Sequence, residues 1–182
     1  MTRQVEILDT YDDSSYFGFG AMEIIDDDGI GITDDMDIIF FDDCIYIEEG
    51  DVECFLWYFL KKHFDNNLDY NRNRGEFVDG FEWWGEANYY TYEAMTLLLK
   101  DMEKKKELLR TDYHNEELVE LKKWFSIFYM CDRDDEDYKN PKLDSIERNI
   151  GVVIDFYERF ICKMRNMMKS HAKANLIFVV GP

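Results

Sequence analysis

The sequence predicts an α+β fold, an N-terminal antiparallel sheet of hairpins packed against about four α-helices. Three observations carry this expectation. Within the first fifty residues, short apolar runs alternate with Asp- and Gly-rich turns. From residue 51 the apolar residues fall at intervals of three and four. The stretch NLIFVV, residues 175–180, then returns to β-branched and aromatic character. No solenoid repeat and no long linker interrupts the chain, so residues 1–182 read as a single domain, 1–50 mainly β and 51–175 mainly α.

The elements follow in order. YFGFGAMEII, residues 16–25, reads as a strand, and Gly18 and Gly20 in it mark a bulge or a close backbone approach. Asp26-Asp27-Asp28-Gly29 is a turn signal, followed by IGIT as a further short extended run. MDIIFF and CIYIEE flank Asp42-Asp43 and predict a hairpin about that pair. Val52, Phe55, Leu56, Phe59 and Leu60 then line one face of a first helix, with Asp51 and Glu53 in its first turn to complement the dipole. DNNLDYNRNRGE has no period and reads as a loop, and EFVDGFEWWGEANYY as a short hairpin around Asp79-Gly80 or one extended segment.

Thr91 suits the N-cap of a second helix whose face is Met95, Leu98, Leu99, Met102 and Leu109. Leu118, Leu121, Phe125 and Phe128 predict a third helix over 115–131. Asp144 and Glu147 suggest a capping box before the longest apolar stripe, which runs from Ile146 to Met168. NLIFVV should dock as a strand, because an exposed run of that composition aggregates, although 176–182 also reads as an expression remnant.

Charge is the most distinctive property. The net charge is -19, and the first 54 residues hold seventeen Asp and Glu against one base, Arg3. The remainder is nearly balanced. Such a field repels nucleic-acid phosphates and anionic membranes and attracts cationic partners. No run reaches the roughly 18 apolar residues of a membrane span, and no secretory signal opens the chain, so the expected location is cytoplasmic. Cys44, Cys54, Cys131 and Cys162 are widely spaced and are expected to be free thiols.

Recognisable catalytic patterns are missing. Placing Gly29 at the sixth position of an EF-hand puts Ile24 at the first, which removes that motif. His63, His114 and His171 form no local metal-ligand pair, and Gly18-Phe19-Gly20 lacks the later glycine of a phosphate loop. Glu103-Lys104-Lys105 falls on a predicted helix, where positions two apart diverge. No metal and no cofactor is expected, and the chain does not read as an enzyme.

Self-repulsion among so many acids destabilises a compact state, so a purely structural origin for the charge is not expected. The expected partner-binding residues are Asp26, Asp27, Asp28, Asp34, Asp35, Asp42 and Asp43 at hairpin tips, with Trp84, Tyr89 and Tyr90 from the aromatic cluster FEWWGEANYYTY. In general character the chain resembles the small, acidic, aromatic-rich immunity proteins of bacterial contact-dependent toxin systems. That resemblance implies a protein that neutralises a basic, nuclease-type toxin by electrostatically steered binding, with no direct contact to nucleic acid. The alternatives are a phage-type nucleic-acid mimic or an enzyme without a recognisable motif, the latter requiring a cleft with convergent titratable groups from distant segments.

Overall fold

The computed structural model describes residues 3–10, 15–24, 38–40, 43–65 and 87–181. The expected α+β architecture is present, as an antiparallel sheet with helices packed against it. Strands β1 (Tyr16–Ile24), β2 (Ile38–Phe40), β3 (Ile45–Glu48), β4 (Ala87–Thr91) and β5 (Leu176–Val180) occupy four positions. One edge of β1 is shared by β2, which sets Met22 opposite Phe40, and β3, which sets Phe17 opposite Ile47. The other edge of β1 pairs with β5, and β4 lies beyond β5.

This pairing corrects the expected hairpin about Asp42-Asp43. Both flanking strands exist, but among the described residues neither pairs with the other. The reason is apolar burial: Ile45 and Ile47 sit opposite Phe19 and Phe17, and all four are buried. A β2–β3 hairpin would forgo those cross-strand pairs.

LIFVV, residues 176–180, docks as expected and is an interior strand. Leu176, Ile177, Phe178 and Val179 are all buried, so both faces of this antiparallel strand are covered. The two faces also explain Gly18 and Gly20. Phe17, Phe19 and Ala21 point to the helices, whereas the glycines point the other way, under aromatic rings. A Cβ on Gly20 would lie 2.4 Å from Phe178 Cζ and 2.7 Å from Cys44 Sγ. The close approach comes from side chains, not from a bulge or a second backbone.

Helix α1 comprises Glu49–Asp51, a π-helical stretch Val52–Leu56 and Trp57–Lys62. Its predicted apolar face is buried. The buried hydroxyls of Tyr157 and Tyr90 donate to Phe55 O at 2.8 Å and Leu60 O at 2.7 Å, satisfying carbonyls that the core would otherwise leave dry. Helix α2 (Tyr92–Thr111) starts as predicted, with Thr91 Oγ1 accepting from Ala94 N at 3.1 Å.

The expected third helix is not continuous. A 3-10 turn (Glu116–Leu118) leads into α3 (Val119–Lys122), and a second 3-10 turn follows at Ile127–Tyr129. Ser126 between them is extended, and its N–H donates to Cys54 Sγ at 3.1 Å instead of closing a helical turn. Docking onto α1 therefore overrides the local period. Leu118, Leu121 and Phe125 are buried as expected, but Phe128 is 54% exposed.

Two short helices, α4 (Glu136–Lys139) and α5 (Ser145–Arg148), precede the long α6 (Ile150–Ser170). The expected capping box at Asp144 is not formed, because its side chain makes no capping bond and pairs with Arg148 instead. The stripe on α6 runs through Val153, Phe156, Tyr157, Phe160, Ile161 and Met164, with Ile150, Ile154 and Met168 at its margin. Phe160 meets Phe19 of β1 edge-on at 5.4 Å, which fixes the helix on the sheet. Burying each such ring contributes roughly 1.5–3 kcal/mol. Arg159 donates to Val5 O and Lys163 pairs with Asp9, so α6 also holds the N-terminal segment.

Candidate partner-binding site

The N-terminal segment crosses the start of α1, held by reciprocal hydrogen bonds between Leu8 and Tyr46. It thereby brings Arg3, the one base of the first 54 residues, to the first turn of that helix. Arg3 Nη2 donates to Asp51 Oδ2 at 2.9 Å, Arg3 Nη1 donates to Tyr129 O, and Glu48 lies 3.7 Å away. The guanidinium also sits 5.8 Å from the centre of the Tyr129 ring. Tyr129 can approach this closely because residue 50 is glycine, where a Cβ would lie 2.2 Å from its Cε1.

Around this pair open two adjoining cavities. The larger, about 510 Å³, is lined by Arg3, Glu48, Phe128, Tyr129, Cys131, Asp132, Arg133 and Tyr138. The smaller, about 240 Å³, shares Arg3, Glu48 and Asp132 and adds Gln4, Glu6, Tyr16 and Asp51. Three distant segments thus meet in one cleft. Phe128 and Tyr138 form an edge-to-face pair 5.2 Å apart on its outer wall. Among the described residues, Glu6 and Asp132 have no cationic partner.

Asp51 is the anomaly of the site. Its side chain is 3% exposed, and burial pushes its carboxyl up to about 6 despite the guanidinium beside it. Oδ1 lies 2.9 Å from Arg3 Nη1, close enough for an ion pair but out of line for a hydrogen bond. Among the described residues it is the one buried side-chain polar atom with no hydrogen-bond partner. Burial also raises the Tyr129 hydroxyl, with Glu53, Glu48 and Asp51 adding to it, which registers the density of negative charge here.

The cleft is poorly suited to nucleophilic catalysis. Burial, then Asp135, Asp137 and Asp132, push the Cys131 thiol up to about 11, so at neutral pH it carries its proton. Burial likewise holds Cys54 at about 12. All four cysteines are free thiols. No group of three His, Cys, Asp or Glu among the described residues is arranged to hold a metal ion.

Of the residues expected at a partner surface, Asp26, Asp27, Asp28, Asp34, Asp35, Asp42 and Trp84 lie outside the described residues. Asp43 is exposed, with His171 Nε2 at 2.5 Å from its Oδ1. Tyr89 is half-buried on β4. Tyr90 is a core residue instead of a surface anchor: it is 1% exposed, and its hydroxyl is spent on Leu60 O. Sequence reasoning missed the Arg3 cleft. The signal was the isolation of Arg3 among acids, which marks a cation destined for one of them.

Compared with known proteins, the chain matches no family model, no curated protein sequence and no solved structure. No helix among the described residues is long and apolar enough to cross a membrane.

Proposed function

We propose that this is an acidic partner-binding protein that neutralises a basic, nuclease-type toxin in the manner of an immunity protein. The observation that supports this reading most is an open acidic cleft with a solvent-facing aromatic wall. Glu6, Glu48 and Asp132 stand beside Phe128 and Tyr138, in a chain whose net charge is -19. Exposed carboxylates steer a cationic partner, and aromatic rings that become buried on contact slow its release. The cytoplasm, where a toxin of this type would act, is the proposed location.

An enzyme would use the same cleft differently, with Asp51 as a general acid or base near neutrality. Arg3 occupies that carboxylate and the neighbouring thiol is protonated, so binding accounts for the groups more fully. The test is protection of DNA from a panel of cationic nuclease domains by increasing amounts of this protein. Protection should fade between about 0.05 and 0.5 M salt, as a screened encounter does. Failure to protect against any of them, or protection indifferent to salt, removes the reading.

A further inference from the structure

We propose that the paired cavities around Arg3 are the docking cleft itself, and that they receive an arginine side chain from the partner. This rests on the reading of the protein as a binder of basic proteins, and adds to it the place and the chemical group recognised. The larger cavity, about 510 Å³, has room for a side chain and the backbone that presents it.

Its walls match a guanidinium in two ways. Phe128, 54% exposed, and Tyr138 offer aromatic faces on which a planar cation stacks. Glu48, its side chain 54% exposed, and Asp132 offer carboxylates that take its paired N–H donors. The inner wall already displays that chemistry, because Arg3 pairs with Asp51 and lies over the Tyr129 ring.

The orphaned Oδ1 of Asp51 is an independent indication. Asp51 lines the smaller cavity with Glu48 and Asp132, and its buried Oδ1, though 2.9 Å from Arg3 Nη1, accepts no hydrogen bond, which is unfavourable. A donor delivered through the cleft would satisfy it. Arg133 works against the ligand, since it places a second positive charge on the same wall. It therefore provides a substitution of opposite sign.

An oligo-arginine peptide is the probe, titrated into the full-length protein at low ionic strength and followed by calorimetry and amide chemical shifts. Saturable binding is expected, with shifts concentrated at residues 48, 128–133 and 138. Glu48→Gln, Asp132→Asn and Phe128→Ala should each weaken it about threefold or more. Arg133→Ala should tighten it, and Glu93→Gln, an exposed acid at the start of α2, should leave it unchanged. All four cleft positions are surface side chains, and circular dichroism would verify that each variant is folded.

Oligo-lysine should bind more weakly, and equal binding of the two peptides overturns the preference for a guanidinium. Shifts that map to residues 26–42 in place of the cleft overturn this placement and leave the proposed function standing. Absence of saturable binding by either peptide overturns both.

Discussion

Two arginine–carboxylate clusters in this molecule use the same groups at different depths. Arg3 and Asp51 meet where the carboxylate is 3% exposed, and one of its oxygens goes without a hydrogen bond. Arg148 meets Asp137, 16% exposed, and Asp144, 60% exposed, closer to solvent. There Asp137 accepts from Arg148 Nη2 at 2.5 Å, Ser145 Oγ at 3.0 Å and Asn149 Nδ2 at 2.9 Å. The buried carboxyl is driven up to about 6 by desolvation, while hydrogen bonds from Arg148 hold Asp137 and Asp144 below their usual range. The same ion pair is thus a liability at one depth and a clasp at the other, because water withdraws faster than protein donors replace it.

The largest expected effect comes from leaving the buried acid alone. Arg3→Ala should lower unfolding free energy by about 3–5 kcal/mol in a urea titration, since an uncompensated buried carboxylate remains. A loss no larger than that of an ordinary surface arginine would show that water reaches Asp51 readily, and the contrast of depths would collapse.

Asp137→Ala should shift the urea midpoint less, because Arg148, its side chain 41% exposed, keeps Asp144 and turns to solvent. It removes the acceptor shared by Arg148, Ser145 and Asn149, so amides of residues 136–149 should exchange faster. Unchanged exchange there would mean that apolar packing, not the acceptor, holds the segment.

The last contrast is a difference in pH slope. Between about pH 4 and 6 the folded protein holds a proton on Asp51 that the unfolded chain releases, so this group's contribution falls as pH rises through that window. Asp101 behaves oppositely. Burial works against its ionisation, but hydrogen bonds from His63 and Lys62 outweigh it and hold the carboxyl at about 2. Its contribution is complete above about pH 4 and is lost as pH drops toward 2. Asp51→Asn should flatten stability between pH 4 and 6 without touching the acid limb. A flat wild-type profile over that window would contradict the buried carboxyl's shift.

What the sequence discloses depends on whether the controlling interaction is local. The Thr91 cap, the stripe of α6 and the face of α1 were legible because each is a periodic or adjacent pattern. The break at Ser126 was not, since it depends on Cys54, and the β1–β3 pairing depends on which apolar pairs bury best. The acidic character of the candidate site was legible, but its location was not. Arg3 and Asp51 are joined across 48 positions, and Phe128 followed the period of a helix that does not form. Tyr90 carried the opposite lesson, for an aromatic in a Tyr-rich run belongs to whichever side of the strand faces the core.

The place of β5 has a consequence for how the molecule comes into being. Because Phe19 faces Val179 across the sheet, β1 meets its inner neighbour only after residue 179, 160 positions further on, has been synthesised. Until then β1 and β4 each keep an open edge of donors and acceptors, a template for pairing with other nascent chains. Closing so distant a contact is also slow. Production in the cell should therefore be limited by what shelters the growing polypeptide, and interrupted translation should yield insoluble fragments in preference to half-working ones.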